Sequence, residues 1–146
     1  MTEITKAIVP LAGLATRFLP LSKVVSKEFF PLVDKPLVHY ALEEMRDSGV
    51  QHVVFVVDER NFRFLSEYLK QSLILEKLLE ERKATQALEE LNNLQKAFEG
   101  MVFSFVQQAK PLGEGHAILQ AQKLKGDEPC FVLSPDDVIE TKVPGL

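Results

Sequence analysis

The stretch Lys6-Ala-Ile-Val-Pro-Leu11 decides the fold class, because it is apolar after its first residue and too short to form a helix. Three later runs share this largely apolar character, at residues 53–57, 101–106 and 130–133. Strands that lack alternating polar positions are buried on both faces, which is typical of parallel sheets. The four runs therefore predict four strands of a mainly parallel sheet.

Helical patterns separate these strands. Residues 37–47 place apolar side chains at helical spacing, and residues 115–123 predict another helix. Residues 61–99 read as helical throughout, with one short helix at 62–69 and a longer one at 74–98 that contains a polar interruption. Strands that alternate with helices predict an α/β domain, in which ligands bind beyond the carboxyl ends of the strands.

Composition narrows the class of protein further. The chain has 146 residues, 46% of them hydrophobic, which predicts a single domain over residues 1–146. Its net charge of -4 argues against a nucleic-acid-binding surface, and its one cysteine excludes an internal disulfide or a multi-cysteine zinc site. The sequence shows no signal-peptide pattern and no apolar run near the ~18 residues of a membrane helix, so we expect a cytoplasmic protein.

The first candidate site is the segment Leu11-Ala-Gly-Leu-Ala-Thr-Arg17, which directly follows the first strand. Small residues let the backbone approach a ligand, successive amides can hold an anion, and arginine suits a phosphate. A tight turn with an exposed arginine is the alternative interpretation. The segment is neither a Walker A loop nor a dinucleotide fingerprint, because the required glycines and lysine are absent.

The second candidate site is the loop Lys23-Val-Val-Ser-Lys-Glu-Phe-Phe-Pro31, whose two lysines lie near Arg17 in sequence. Such a loop is ordinarily solvated, and that alternative stays open. The phenylalanines next to Glu28 favour an anchored loop, because buried rings would hold Lys27 at the edge of the sheet.

Four segments together resemble a known family. Ala12-Gly-Leu-Ala-Thr-Arg-Phe-Leu-Pro20 and Ser26-Lys-Glu-Phe-Phe-Pro-Leu-Val-Asp-Lys-Pro-Leu37 are similar to the signature of sugar-1-phosphate nucleotidylyltransferases. Gln108-Ala-Lys-Pro-Leu-Gly-Glu-Gly-His-Ala117 resembles the base-binding segment of that family, and Leu133-Ser-Pro-Asp-Asp-Val138 resembles its metal-binding segment. With the helical stretch after residue 61, the chain most resembles the bacterial UTP–glucose-1-phosphate uridylyltransferases.

The resemblance implies a fold and a reaction. The fold is a Rossmann-like, three-layer nucleotidyltransferase domain, truncated, with residues 61–99 as a helical insertion. The reaction joins UTP and glucose 1-phosphate into UDP-glucose and pyrophosphate, by attack of the sugar phosphate on the α-phosphorus of UTP. Positioning and charge neutralisation supply most of the rate in such phosphoryl transfers.

The resemblance also assigns the charged groups of the site. Arg17 and Lys27 are implied to be catalytic, because they reach the triphosphate and steady the leaving pyrophosphate. Asp136 is implied to bind Mg²⁺, a cation that prefers one or two carboxylates together with phosphate oxygens. The alternative for Asp136 is a turn or helix cap.

Five further residues are implied to bind the nucleotide. The backbone at Ala12 and Gly13 approaches the uridine, Glu28 and Gln108 read the uracil edge, and Gly113 allows the nucleotide to come close. Glu28 could instead pair with a loop lysine, and Gln108 could be a surface residue at the end of a strand.

Two departures from the family pattern bear on these expectations. Ala15 stands where the family usually has a second glycine, which would cost about 1 kcal/mol if the position needs a positive φ. The family's sugar-binding half follows the strand that ends near Asp136, whereas this chain ends at Leu146. We therefore expect this chain to be the half of such an enzyme that binds UTP and Mg²⁺, and to be inactive on its own.

Other functions remain open at this stage. The chain could be a non-catalytic nucleotide-binding or assembly module, in which the leucine-rich stretch at 61–99 packs on a second subunit. It could also serve another nucleotide, such as dTTP or CTP. We expect a homo-oligomer that binds UTP and glucose 1-phosphate, and no nucleic acid or membrane partner.

Overall fold

The structure is a computed structural model that describes residues 3–138, 143 and 145–146, so residues 1–2, 139–142 and 144 of the predicted domain lie outside it. The strands are β1 (Lys6–Leu11), β2 (Pro31–Leu32), β3 (Lys35–Pro36), β4 (His52–Val57), β5 (Val102–Gln107) and β6 (Phe131–Val132). The helices are α1 (Leu37–Asp47), α2 (Glu59–Leu69), α3 (Leu73–Glu81), α4 (Thr85–Ala97) and α5 (Glu114–Lys125).

Four of the strands form one sheet in the order β5-β4-β1-β6, and every neighbouring pair in it is parallel. The strands β2 and β3 form a separate antiparallel pair. Since all four sheet strands run the same way, their carboxyl ends lie along one edge. The predicted α/β class with a mainly parallel sheet is confirmed.

Helices cover both faces of this sheet, which gives three layers. Successive side chains of a strand point to opposite faces, so Val9 packs with Leu42 of α1 and Leu65 of α2. The neighbouring Ile8 packs on the other face with Ala117 of α5. Burial on both faces explains why the two central strands, β1 and β4, are apolar without alternation, whereas the edge strands β5 and β6 are only partly buried.

The region between β4 and β5 contains three helices, whereas the sequence predicted two. The break within the predicted helix 74–98 comes at residues 82–84, where Lys83 adopts a φ of 55°. Helix α2 buries Asn61 and Leu65, whereas neither α3 nor α4 buries any residue. That residues 61–99 form an insertion stays a prediction.

The last strand is shorter than its sequence pattern. Residues 130–133 were expected to form it, but only Phe131–Val132 is a strand, paired with Ala7 and Ile8 of β1. No helix in the described part of the chain has the length and apolar character needed to cross a membrane.

Candidate functional site

A cavity of about 450 Å³ opens at the carboxyl end of β1. It lies between the loop after β1, the loop before β2, the start of α5 and the segment that follows β6. Its lining includes seven of the eight residues that the sequence singled out: Ala12, Gly13, Lys27, Glu28, Gln108, Gly113 and Asp136. The topology thus brings together segments that are far apart in sequence.

Arg17 is the predicted residue that the cavity lining does not include. It lies in a short 3-10 turn at residues 16–18, and its side chain is exposed. The position one residue earlier, Thr16, does line the cavity. A role for Arg17 on the triphosphate therefore stays a prediction, and the described geometry does not place it with the other seven residues.

The loop after β1 bends through Ala15, whose φ of 46° and ψ of 44° are left-handed. This conformation places a Cβ atom close to the following carbonyl oxygen, so residues other than glycine adopt it at a cost. The position does need a positive φ, so the conformational cost that we expected for alanine applies, whereas glycine accepts this conformation freely.

The loop that carries Lys27 and Glu28 is anchored by Asn61, a fully buried residue of α2 that the sequence analysis missed. The Asn61 amide donates to the carbonyl oxygen of Leu11, at the end of β1, and accepts from the Ser26 hydroxyl. Its own backbone N–H donates to Asp58, the N-cap of α2, at 2.7 Å. One residue thus connects the end of β1, the start of α2 and the loop that carries Lys27 and Glu28.

The three-residue spacing of Asp58 and Asn61 is the only feature of the local sequence that points toward this anchor. An aspartate three residues before a polar side chain, directly after a strand, is typical of a helix N-terminus. It predicts the cap, but it does not predict that Asn61 reaches back to the strand.

Glu28 is almost fully buried, with 2% of its surface exposed, although it carries a carboxyl group. Its Oε2 atom has no hydrogen-bond partner among the described residues. Burial raises the pKa of the Glu28 carboxyl above its ordinary value, because the charged form loses its water. Such an unpaired polar atom in a cavity wall is suited to a hydrogen bond from a ligand.

Lys27 and Asp136 form an ion pair across the cavity, with 2.6 Å between Nζ and Oδ2. Both side chains are partly exposed, at 27% and 34%. A cation that suits a phosphate group and a carboxylate that suits a metal ion therefore stand side by side in the wall of the cavity.

Gln108 follows β5 directly and is 6% exposed. Its backbone N–H donates to the carbonyl oxygen of Val57, which continues the β4–β5 ladder by one residue. Its side-chain Nε2 lies 3.3 Å from the carbonyl oxygen of Gly113 and 2.8 Å from Nδ1 of His116. Gln108 is therefore a fixed side chain and not a loose surface residue.

Gly113 precedes α5 with a φ of 96°, a backbone conformation that disfavours any residue with a Cβ atom. Beyond it, Glu114 and Ser134 also line the cavity, and the Ser134 hydroxyl lies 3.5 Å from a Glu114 carboxylate oxygen. Glu114 and Ser134 were not predicted as site residues, because nothing in their local sequence shows that α5 and the segment after β6 meet.

The described residues contain no group of three or more His, Cys, Asp or Glu side chains that could hold a metal ion by themselves. The one carboxylate of Asp136 nevertheless fits Mg²⁺, which usually takes one or two protein carboxylates and completes its shell with phosphate oxygens and water. Asp136 is accessible from the cavity, so its donor chemistry agrees with a metal that arrives with a nucleotide.

Comparison with known proteins gives a consistent result. A family model described as nucleotidyl transferase matches residues 6–145. The UTP–glucose-1-phosphate uridylyltransferase of Bacillus subtilis (strain 168) is 38% identical over 146 residues, which are 100% of this chain and 49% of that protein. A second protein of the same strain, UTP–glucose-1-phosphate uridylyltransferase YngB, is 38% identical over 99% of this chain and 47% of its own length.

Solved structures agree with the sequence comparison. A UTP-bound UGPase from Acinetobacter baumannii superposes with a TM-score of 0.87 at 34% identity, over 94% of this chain and 47% of that chain. A UDP-glucose pyrophosphorylase complexed with UDP-glucose superposes with a TM-score of 0.80 at 36% identity, over 97% of this chain and 49% of its own. The chain spans about half the length of the curated relatives it matches. On the match over residues 6–145 and these relatives, the chain belongs to the nucleotidyl transferase family.

Proposed function

We propose that this chain supplies the UTP-binding and Mg²⁺-binding half of a UTP–glucose-1-phosphate uridylyltransferase, which makes UDP-glucose and pyrophosphate. The observation that carries the proposal is the cavity at the carboxyl end of β1, where seven predicted site residues meet. The similarity to uridylyltransferases over the whole chain supports the choice of nucleotide.

The cavity offers two chemically distinct regions. Buried Glu28 and Gln108 provide a hydrogen-bonding wall, which suits the edge of a base. Lys27 and Asp136 provide a cation and a carboxylate, which suit a phosphate chain and its metal ion. In the proposed binding mode, the uracil lies against the first pair of residues and the triphosphate against the second.

Phosphoryl transfer needs positioning and charge neutralisation more than covalent help. In the proposed reaction, Lys27 leaves Asp136 and pairs with the phosphates, so that the charge of the departing pyrophosphate is partly neutralised. Arg17, on its exposed turn, is proposed to add a second cation when the nucleotide is bound. The backbone at Ala12 and Gly13 is proposed to lie close to the nucleoside.

Members of this family generally use a divalent metal ion, and we propose that it is Mg²⁺ here, held by Asp136. When bound, the ion would neutralise phosphate charge and orient the triphosphate. The proposed exchange of partners follows from the ion pair, because the Asp136 Oδ2 atom that now accepts from Lys27 is freed for a cation when Lys27 turns to an anion.

Titration calorimetry with UTP and Mg²⁺ tests this proposal. We expect saturable binding at one site, and a loss of at least about tenfold in Lys27→Ala and Asp136→Asn, since each removes a charged partner of the ligand. Lys77→Ala is the matched control, because Lys77 lies on α3, away from the cavity, and we expect no change in affinity.

Turnover is tested separately, by release of pyrophosphate from UTP and glucose 1-phosphate. We expect none from this chain alone, because the resemblance places the sugar-binding residues in the other half of the relatives. Wild-type chain that binds no nucleotide at millimolar UTP and Mg²⁺ would contradict the proposal. A preference for dTTP or CTP in competition would keep the nucleotide site but change the substrate.

The exposed apolar surface of α3 favours a second role, in assembly. Leu73 and Ile74 are 68% and 87% exposed, and neither α3 nor α4 buries any residue within this chain. We propose that this surface contacts a second copy of the chain, so that the protein is a homo-oligomer. Light scattering should show a dimer or larger species, and Ile74→Lys should shift it to a monomer with UTP binding unchanged.

A further inference from the structure

Gln108 can show a ligand one of two faces, because a side-chain amide has an oxygen that accepts and a nitrogen that donates. Which atom turns to the cavity decides which bases fit. The neighbours of the amide settle this, because one of them is a backbone carbonyl oxygen, which can only accept a hydrogen bond.

Two protein groups lie beside Nε2 of Gln108: the Gly113 carbonyl oxygen at 3.3 Å and Nδ1 of His116 at 2.8 Å. A carbonyl oxygen only accepts, so the group that faces it must be the NH₂ of the amide. The second hydrogen of that NH₂ points to His116, whose Nδ1 must then carry a lone pair and no hydrogen. Both donors of Gln108 are thus used within the protein.

His116 is itself held by the helix that carries it. Its other ring nitrogen, Nε2, lies 3.2 Å from the side-chain nitrogen of Gln120, one turn further along α5. A neutral imidazole with Nδ1 free carries its hydrogen on Nε2. The exposed Gln120 amide must then turn by half a rotation, so that its oxygen accepts this hydrogen, whereas the Gln108 amide is fixed by the Gly113 carbonyl. His116 does not line the cavity, so any effect it has on a ligand passes through Gln108.

We propose that His116 is a positioning residue for base recognition, because it holds the Gln108 amide with its oxygen presented to the nucleotide. This inference rests on the proposed function, since it needs the base to lie in this cavity. An acceptor in the wall matches a pyrimidine that carries a hydrogen on N3, as uracil and thymine do. Cytosine has a lone pair on N3, which an amide oxygen repels.

Two substitutions of similar size separate positioning from a structural role. His116→Asn places an amide oxygen near the position of Nδ1, so it can still accept from Gln108. His116→Gln places its amide group further out, toward Gln120, and removes the acceptor beside Gln108. Dissociation constants for UTP and CTP, measured with Mg²⁺ by calorimetry, give the ratio of the two affinities, and thermal unfolding verifies that each variant is folded.

We expect the wild-type chain to prefer UTP, His116→Asn to keep that preference, and His116→Gln to lose about threefold to tenfold of it, which is the worth of one neutral hydrogen bond. A ratio in His116→Gln equal to that of the wild type would overturn the inference. The inference would also be overturned if His116→Gln kept the preference for UTP and His116→Asn lost it.

The tautomer of His116 in the wild-type chain gives an independent test, by long-range proton–nitrogen NMR correlations on the neutral ring. We expect the hydrogen on Nε2. A hydrogen on Nδ1 would refute the proposed hydrogen bond from Gln108 to His116, whatever the chain binds. If the wild-type chain binds neither UTP nor CTP, the proposed function is refuted, and base recognition with it. The tautomer would still report whether His116 accepts the hydrogen bond from Gln108.

Discussion

Replacement of Ala15 by glycine should stabilise the protein, which is the opposite of what this substitution does at most positions. Ala15 holds a left-handed backbone with a φ of 46° and a ψ of 44°. That conformation costs a residue with a Cβ atom about 1–2 kcal/mol. Glycine removes this cost, but it adds about 0.4–1 kcal/mol of conformational entropy to the unfolded chain. The net gain is about 0.5–1 kcal/mol in the free energy of unfolding.

Ala87→Gly is the matched control. Ala87 is an exposed residue within helix α4, where glycine costs about 1 kcal/mol relative to alanine. The same chemical change should therefore raise the free energy of unfolding at one position and lower it at the other.

Urea unfolding followed by circular dichroism measures both effects. Wild type and both variants should share one m-value, so that the shifts in midpoint report stability alone. A loss of stability in Ala15→Gly equal to that in Ala87→Gly would refute the reasoning, because it would mean that the loop does not hold Ala15 in the left-handed region.

Three further predictions concern the walls of the cavity and Asn61, which anchors one of its loops. Asn61→Leu should lower the free energy of unfolding by about 1–3 kcal/mol in urea, because the Leu11 carbonyl loses its donor. Glu28→Gln should gain stability over wild type as the pH of urea titrations rises from about 4 to about 7, since the raised pKa of Glu28 means that wild-type stability falls as the buried carboxyl ionises. Removing the Lys27–Asp136 pair as Lys27→Met/Asp136→Asn should change stability by less than about 1 kcal/mol, because the pair is partly exposed, yet calorimetry should show UTP affinity at least about tenfold weaker.

The contradicting outcomes differ for each of these variants. Unchanged stability of Asn61→Leu would remove Asn61 from its role as an anchor. A pH-independent difference between Glu28→Gln and wild type would mean that Glu28 titrates as it does in water. Large destabilisation of the double variant would make the Lys27–Asp136 pair structural, and the loss of affinity could then no longer be assigned to lost ligand contacts.

Local patterns were sufficient for the layout of the domain. Apolar runs without alternation predicted four parallel strands, and the helix at residues 37–47 begins and ends where its spacing predicts. These predictions succeed because a strand that is buried on both faces leaves a continuous apolar run in the sequence, and a helix that buries one stripe leaves apolar residues at helical spacing. The break between α3 and α4 was missed as a helix end, because Lys83 takes a left-handed conformation that charged residues seldom show.

The place of the site also followed from sequence, since parallel strands present their carboxyl ends at one edge. What only tertiary structure decided is which side chains meet there. Lys27 and Asp136 are 109 residues apart, and Asn61 reaches Leu11 across 50 residues. Single contacts between distant segments leave no pattern in the sequence, whereas the strands and helices that carry the contacting residues do. The sequence alone therefore determined the parallel sheet and the edge where the candidate site lies, and packing decided the ion pair, the anchor, the exposed position of Arg17 and the contacts of Gln108.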